Sequence, residues 1–329
     1  MKISGFTIVR NAVQYDFPIV ECILSIIDLV DEFIVVLGDS ADGTEQLMEN
    51  ISSDKIKIIR TDWDTKKYNR GMQILANQTD VALRACTGDW CFYVQADEVL
   101  HEAGIPIIKQ ACEKYLNDKK VDGFLLNYIW FYGAYDKYID ELHFAYPKEI
   151  RIVRNCPEIH SWRDAQSFRK IPDFDYENYW QKENTQKLNC IDLNAWLYHY
   201  SYSRDPRILA GKTKELELLY HGTTNDEAET YFNYGNLSLL PDFKGTHPAV
   251  MKERIANMNW QHLLTYTGER PKKLSKIFEP KHRMLSFLEN KILGEKMLFG
   301  FKNYHRIGAF GWTKSKPKRA TLYESGTNE

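Results

Sequence analysis

The sequence predicts an α/β fold, with a mainly parallel central sheet flanked by helices and a basic, helical C-terminal extension. In the first 130 residues short apolar segments alternate with helical ones, as in parallel sheets covered on both faces. Residues 206–220 and 250–265 have helical patterns, and residues 271–310 are basic and amphipathic. The predicted domains are residues 1–205 and a mostly helical extension over 206–329, whose last residues are loose.

The strands are predicted from apolar runs that end in polar loops. The first four lie at residues 3–9, 33–37, 56–61 and 90–94, and later ones at 123–131, 149–153 and 191–199. A helix capped by Asp16 and Pro18 and a helix over 70–86 lie between the first four. Since ligands bind at the carboxyl ends of parallel strands, the loops after residues 9, 37 and 94 are the expected ligand edge.

The charge of the chain is unevenly distributed. The 329 residues have a formal net charge of −2, which argues against a nucleic-acid partner. Residues 271–320 nevertheless carry 13 Lys or Arg and 3 Asp or Glu, a net charge of +10. This asymmetry favours a polyanionic or membrane-surface partner for the basic segment, and an amphipathic helix over 271–310 would contact an anionic membrane. The alternative is a helix packed on the main domain with a solvated basic face.

The six cysteines form no C-x-x-C pair, which favours reduced thiols in a cytoplasm. The first residues lack the pattern of a signal peptide. The most apolar stretch, residues 18–38, contains four carboxylates and would not span lipid. We therefore expect a cytoplasmic protein, with a peripheral position at the inner face of the cell membrane.

The loop after the fourth strand contains Asp97 and Glu98. Hard divalent cations prefer oxygen ligands, and such an ion would neutralise the charge of a departing diphosphate. The alternative is a solvated acidic pair or one that caps a helix. The loop after the second strand contains Asp39, which could accept hydrogen bonds from a nucleoside, whereas residues 42–44 (DGT) are better explained as a turn and a helix cap.

Three runs resemble the family 2 glycosyltransferases: residues 6–11 (FTIVRN), 35–44 (VVLGDSADGT) and 95–98 (QADE). The resemblance implies a GT-A fold over this region, a nucleotide-sugar donor and a divalent metal, Mg²⁺ or Mn²⁺. The implied nucleotide-binding residues are Thr7, Val9, Arg10, Asn11, Asp39, Ser40, Gln95 and Ala96. The implied metal ligands are Asp97 and His199. The alternative for His199 is a histidine that packs in the core and binds no metal.

A narrower resemblance, to a bacterial and often Bacteroidetes subgroup, rests on residues 149–154 (EIRIVR), 162–166 (WRDAQ), 198–200 (YHY) and 245–248 (GTHP). Two positions depart from the family pattern. Leu37 replaces a nucleotide-binding carboxylate, and Gln95 replaces the first acid of the D-x-D motif. The second departure weakens the expected metal site, although Glu98 could compensate in part.

An inverting transfer needs a general base, and the matching region of the family points to Asp164. The alternative for Asp164 is an ion pair with Arg163 or Arg151. Further candidates are cations for the diphosphate and aromatic residues for an acceptor wall, with solvation and core packing as their alternatives. The cations are Arg10, Arg151, Arg154 and Lys212, and the aromatic residues are Tyr128, Trp130, Phe131, Tyr132, Tyr135, Tyr138, Phe144 and Tyr146.

The sequence contains neither a G-x-G-x-x-G motif after the first strand nor a P-loop, which disfavours dinucleotide oxidoreductases and P-loop enzymes. The predicted function is inverting, metal-dependent transfer of a sugar from a nucleotide-sugar donor to a glycan or lipid-linked acceptor, in cell-surface polysaccharide assembly. The alternative is a degenerate, non-catalytic protein that serves as a scaffold or carbohydrate-binding subunit.

Overall fold

The computed structural model of the protein describes residues 1–223, 230–269, 275–294, 297–298, 300, 302–313 and 319–323. The helices are α1 (Ile19–Leu24), α2 (Thr44–Glu49), α3 (Gln73–Ala85), α4 (Ile105–Lys114), α5 (Pro206–His221), α6 (Lys252–Ala256) and α7 (Pro280–Phe287). The strands are β1 (Ile3–Val9), β2 (Glu32–Gly38), β3 (Ile56–Thr61), β4 (Trp90–Tyr93), β5 (Glu98–Leu100), β6 (Gly123–Tyr132), β7 (Tyr138–Ile139), β8 (Lys148–Arg154), β9 (Ile159–Trp162), β10 (Ser167–Lys170), β11 (Gln186–Tyr202) and β12 (Tyr304–Phe310).

The strands form one mixed sheet with the order β3-β2-β1-β4-β8-β6-β11-β10-β9. Strands β3, β2, β1 and β4 are mutually parallel, β8 is antiparallel to both of its neighbours, and β11 is again parallel to β6. Strands β12 and β5 both pair with β11, and β7 pairs with β6. With helices against the sheet, this arrangement confirms the predicted fold class.

The central strands are buried on both faces because helices cover both sides. Every residue of β1 and β2 is buried. In β2 alternate side chains point to opposite faces, so that Val35 packs in the cluster that contains Ile23 of α1, and Val36 in the one that contains Leu83 of α3. Apolar residues at nearly every position are therefore what this architecture requires.

The geometry of the loop after β2 supports the prediction that residues 42–44 have a structural role. Gly43 has a φ of 86° and precedes α2. The Asp42 carboxylate accepts hydrogen bonds from the backbone N–H of Thr44 at 3.1 Å and of Gln14 at 2.6 Å. The Thr44 hydroxyl oxygen accepts one from the backbone N–H of Ala12 at 2.7 Å. These bonds fasten the loops after β1 and β2 to each other.

The C-terminal part differs from its predicted helices in two places. Residues 249–264 contain only the short α6 between two 3₁₀ turns. Residues 304–310 form strand β12, which pairs parallel to β11. The sequence pattern predicts a helix there, as part of the basic segment 271–310. Strand β11 lies before the predicted domain boundary at residue 205 and its partner β12 lies after it, so the sheet includes residues from both predicted domains. The boundary itself stays a prediction.

Part of the predicted basic helix lies outside the described residues, including Lys272, Lys273, Leu274, Lys296 and Phe299. Within the described part, Pro280–Phe287 is α-helical and Leu288–Ile292 forms a π-helical turn. No helix in the described ranges combines the length and the apolar character needed to cross a membrane.

Glu32, at the start of β2, holds three segments together. Its carboxylate accepts hydrogen bonds from the Ser4 hydroxyl at 2.7 Å and the Thr87 backbone N–H at 2.8 Å, and it pairs with Lys57 at 2.7 Å. Burial raises the pKa of Glu32, but the hydrogen bonds from Lys57, Ser4 and Thr87 outweigh that effect and hold the pKa well below its usual range. The ionised form therefore stabilises the fold.

We expect Glu32→Gln to lower the free energy of unfolding at pH 7 by about 1.5–3 kcal/mol, the usual contribution of hydrogen bonds to a charged group. A carboxyl with a depressed folded-state pKa contributes stability above its unfolded pKa and loses it as pH falls, so the difference from wild type should shrink below about pH 4. Urea unfolding at several pH values measures both effects. Glu49→Gln, at an exposed position, is the control.

Candidate active site

A cavity of about 460 Å³ lies at the carboxyl ends of β1 and β4. Its walls also include the turn between β9 and β10, the end of β11 and one face of α5. The volume is that of a small-molecule site. The lining residues are Ile8, Val9, Arg10, Asn11, Tyr15, Phe17, Trp63, Met72, Leu75, Tyr93, Gln95, Ala96, Asp97, Trp130, Phe144, Tyr146, Asp164, Ala165, Gln166, His199, Ser201, Tyr202, Lys212, Glu215, Leu216 and Leu219.

Eight of the eleven predicted site residues line this cavity: Val9, Arg10, Asn11, Gln95, Ala96, Asp97, Asp164 and His199. Thr7, Asp39 and Ser40 lie outside it. Thr7 is fully buried within β1, and the Ser40 hydroxyl is occupied by the backbone N–H of Asn11 and the carbonyl of Gly38, each at 3.0 Å. Asp39 is half exposed and pairs with Arg10 through its Oδ1, 3.2 Å from Nε.

Asp97 lies on the cavity floor between two cationic or ionisable groups. Its Oδ2 accepts a hydrogen bond from Lys212 Nζ at 2.9 Å, and its Oδ1 is 3.8 Å from His199 Nε2. Burial raises the pKa of Asp97, but the positive charges of Lys212 and Arg204 outweigh it and hold the pKa well below its usual range. Asp97 is therefore a carboxylate at neutral pH.

His199 is fixed by stacking and by a backbone hydrogen bond. Its ring stacks on Trp130 with centroids 3.7 Å apart. Its Nδ1 accepts a hydrogen bond from the backbone N–H of Ser201 at 3.2 Å, which places the proton of the neutral ring on Nε2. Burial lowers the pKa of His199 despite the nearby Asp97. A neutral imidazole thus presents its N–H to Asp97.

Glu98 points away from the cavity and cannot compensate for Gln95. Its carboxylate forms a bidentate ion pair with Arg151, at 2.9 and 2.8 Å, and accepts a hydrogen bond from the Tyr128 hydroxyl at 2.8 Å. Glu98 and Arg151 are fully buried. Glu98 also begins β5, so the alternative of a helix-capping acidic pair is wrong.

Asp164 lies in a tight turn with unusual backbone geometry. Its neighbours Arg163 and Ala165 both have a φ of 62°, a region that residues other than glycine rarely adopt. The turn is held by Arg151, whose Nη1 donates to the carbonyl of Gln166 at 2.9 Å. Among the described residues, Asp164 Oδ1 is buried without a hydrogen-bond partner, and burial raises the pKa of this carboxyl.

The four candidate cations separate into two groups. Arg10 and Lys212 line the cavity. Arg151 is paired with Glu98, and Arg154 donates to the main-chain carbonyls of Leu116 at 2.9 Å and Val121 at 3.1 Å. The last two hold the fold together and do not reach the cavity.

The aromatic segment from 128 to 146 divides in the same way. Trp130, Phe144 and Tyr146 line the cavity. The other five are buried in the core, which was the alternative to a role in an acceptor wall: Tyr128, Phe131, Tyr132, Tyr135 and Tyr138.

Helix α5 forms a wall of the cavity that the motifs did not reveal. It starts at Pro206, with Asp205 as an N-cap that accepts from the backbone N–H of Arg207 at 2.8 Å. Its cavity residues Lys212, Glu215, Leu216 and Leu219 follow the i, i+3, i+4, i+7 spacing of one helical face. That spacing was available in the sequence, but it does not tell what the face covers.

In open α/β sheets ligands bind at the carboxyl edge of parallel strands, which is where this cavity lies. Residues 17–118 match the family described as Glycosyl transferase family 2, a segment of somewhat less than a third of the chain. This match confirms the predicted resemblance to the family 2 glycosyltransferases over that segment of the chain. No curated protein matches the sequence.

Several solved structures are similar to part of the chain. Staphylococcus aureus TarS is 15% identical over 67% of this chain, with a TM-score of 0.38, and the aligned part spans only 40% of TarS. TarS 1–349 in complex with UDP-GlcNAc is 15% identical, covering 70% of this chain and 69% of that one, with a TM-score of 0.37. Glucosyl-3-phosphoglycerate synthase from Mycobacterium tuberculosis, solved with Mn²⁺, UDP and glucosyl-3-phosphoglycerate, is 20% identical over 40% of this chain and 45% of that one, with a TM-score of 0.28. The fold is defined by the order of its own strands, β3-β2-β1-β4-β8-β6-β11-β10-β9.

Proposed function

We propose that the protein transfers a sugar from a nucleoside-diphosphate sugar to a hydroxyl of a glycan or lipid-linked acceptor, with inversion at the anomeric carbon, in cell-surface polysaccharide assembly. The observation that carries this proposal is the meeting of three groups in one cavity: the strand-end residues 9–11, the loop 95–97 and the carboxylate of Asp164. The family match of residues 17–118 supports sugar transfer in general.

Asp164 is the general base of the proposed reaction. An inverting transfer forms a bond between the acceptor oxygen and the anomeric carbon while the bond to the diphosphate breaks on the opposite side. The acceptor hydroxyl must lose its proton, and the buried Oδ1 of Asp164 is free to accept it. A pKa raised by burial brings this carboxylate closer to the pH at which a general base works well.

The nucleoside of the donor is proposed to bind near Arg10 and Asp39, at the mouth of the cavity. The Arg10 guanidinium lies 5.2 Å from the centre of the Trp63 ring. It also pairs with Glu215 of α5 at 3.1 Å. An aromatic ring and a guanidinium can both stack on a base, and Asp39 can accept from ribose hydroxyls.

A divalent cation, Mg²⁺ or Mn²⁺, stays a prediction from the family resemblance. The side chains of the cavity do not fit such an ion as they stand. Asp97 gives one oxygen to Lys212, Gln95 carries no charge, and the His199 nitrogen that faces Asp97 carries a proton. In the described ranges, no three His, Cys, Asp or Glu side chains form a group that could hold a metal ion.

Release of a nucleoside diphosphate from a panel of nucleotide sugars tests the proposed function. We expect the protein to turn over at least one donor in the presence of a bacterial polysaccharide or lipid-linked oligosaccharide extract, and to be stabilised by the matching nucleoside diphosphate. A ligand at a hundred times its Kd raises the free energy of unfolding by about 2.7 kcal/mol. Binding without turnover across the panel would favour the non-catalytic alternative, for which the substitutions at Leu37 and Gln95 speak.

We also propose that the segment 275–294 contacts an anionic membrane, where lipid-linked acceptors reside. One side of it docks on the body of the protein, because Glu289 is fully buried and its Oε1 lies 2.9 Å from Nε2 of His143. Met284, Phe287 and Ile292 of the same segment are exposed, at 72%, 61% and 64% of their surfaces. Lys281, three residues before Met284, is exposed and pairs with Glu279 at 3.4 Å. Apolar side chains flanked by lysines suit an anionic lipid surface.

We expect the protein to cosediment with phosphatidylglycerol vesicles at low salt, and the triple variant Met284→Ser, Phe287→Ser, Ile292→Ser to bind roughly tenfold less, because little apolar area remains to insert. The matched control is the double variant Leu24→Ser, Leu218→Ser, which removes exposed apolar side chains elsewhere. Equal binding by the triple variant and its control would contradict the proposed contact.

A further inference from the structure

The ammonium of Lys212 lies where a cation is needed by the proposed reaction. Lys212 is buried on the cavity face of α5, and its Nζ donates to Asp97 Oδ2 at 2.9 Å and to the Ser201 hydroxyl at 2.7 Å. An ammonium has three N–H donors, and these two bonds use two of them. Because Lys212 lines the cavity, the third can reach a ligand in it.

A second positive charge lies behind the first. Arg204 is fully buried, and it donates to the main-chain carbonyls of Tyr15 and, at 3.4 Å, Tyr200. Its charge acts on both Asp97 and Lys212. The single negative charge of Asp97 is thus matched by two fixed positive charges from the protein itself.

The remaining groups at this point do not add negative charge to the cavity floor. Glu98 is neutralised by Arg151 in a separate buried pair, and Gln95 is an amide. His199 turns an N–H toward Asp97, so it has no lone pair on that side. A divalent ion bound to Asp97 would have to displace Lys212 or lie beside its ammonium, and like charges repel at that distance.

We infer that Lys212 is the resident cation of this site, which binds the diphosphate of the donor and stabilises it as it leaves, so that transfer proceeds without a divalent metal. This inference rests on the proposed function. As the bond between the anomeric carbon and the diphosphate oxygen breaks, its electron pair passes to that oxygen, and Lys212 donates a hydrogen bond to the growing negative charge. The proton of the acceptor hydroxyl goes to Asp164, and Lys212 keeps its own protons.

Binding of nucleoside diphosphates with and without metal tests this inference. UDP, GDP, CDP, dTDP and ADP are titrated in turn by calorimetry, in excess EDTA and in excess Mn²⁺. For the nucleotide that binds best, we expect wild-type affinity to differ by less than about threefold between the two conditions. Lys212→Met should lose at least about tenfold in EDTA, because a charge-assisted hydrogen bond to the diphosphate is removed. Lys214→Met, at an exposed position of the same helix, should bind like wild type.

Lys212→Met leaves Asp97 buried without its partner, which could prevent folding. The double variant Asp97→Asn, Lys212→Met removes both charges and therefore provides a second test that does not leave a buried unpaired charge. It should also lose affinity in EDTA by at least about tenfold. Wild-type binding that requires Mn²⁺ would overturn the inference and leave the proposed function standing, as would full affinity of a folded variant that lacks Lys212. Failure of all five nucleotides to bind in either condition would overturn both.

Discussion

Replacement of Asp164 by asparagine is expected to lower kcat by about 10²- to 10⁴-fold, the usual contribution of a general base. The affinity for the donor nucleotide should stay close to that of wild type, because the base acts on the acceptor proton and only in the transition state. Asparagine preserves the shape of the side chain and removes only its ability to accept a proton as a carboxylate. Steady-state kinetics and nucleotide titration together separate the two effects.

The pH dependence of the reaction checks the same assignment. Burial raises the pKa of Asp164, and only its deprotonated form accepts a proton. Turnover of the wild-type enzyme should therefore fall on acidification at a higher pH than an exposed aspartate would give, and Asp164→Asn should lack this acidic limb. Asp173→Asn, in an exposed loop close in sequence, is the control. Wild-type turnover in Asp164→Asn would exclude this residue as the base.

Arg151→Met is expected to lower the free energy of unfolding by about 3–5 kcal/mol, because it leaves the buried Glu98 carboxyl without its cationic partner. The substitution also removes the hydrogen bond from Arg151 to the carbonyl of Gln166, which holds the turn that carries Asp164. The loss of stability should therefore be accompanied by a loss of turnover. Urea unfolding at pH 7 measures the first effect.

A double-mutant cycle identifies the cause of that instability. In the variant Glu98→Met, Arg151→Met both charges are gone, and we expect it to recover a large part of the stability lost by Arg151→Met. Arg60→Met is the matched control, since Arg60 pairs with Glu45 and Glu49 on the surface, and it should leave the stability almost unchanged. If the two arginine variants were equally stable, the buried pair would not have the role described here.

The sequence predicts the first half of the fold well because there the local pattern and the tertiary environment agree. Strand β1 spans the same seven residues as predicted, since each of its positions is buried between two layers of helices. Residues 304–310 show the opposite case. Their sequence lies in a segment with helical spacing, but pairing with β11 decides their conformation, and such a long-range contact leaves no local signal.

The same distinction applies to the candidate site. Strand-end residues such as Arg10 and Asp97 could be placed near one another, because the carboxyl ends of parallel strands share an edge. The direction of each side chain could not be predicted. Glu98 follows Asp97 directly and yet turns into the core toward Arg151, and Lys212 reaches Asp97 from a helix more than a hundred residues later. These partners are set by the packing of distant segments.

Strand β11 is 17 residues long and pairs with β6, β10, β5 and β12. Its residues Leu188 to Leu193 lie beside Tyr304–Phe310 of β12. During synthesis on the ribosome, this stretch emerges long before its partner does, and an unpaired strand edge is prone to pair with other chains. The sheet can therefore be completed only after residue 310 has emerged, and the exposed edge of β11 has to be shielded until then.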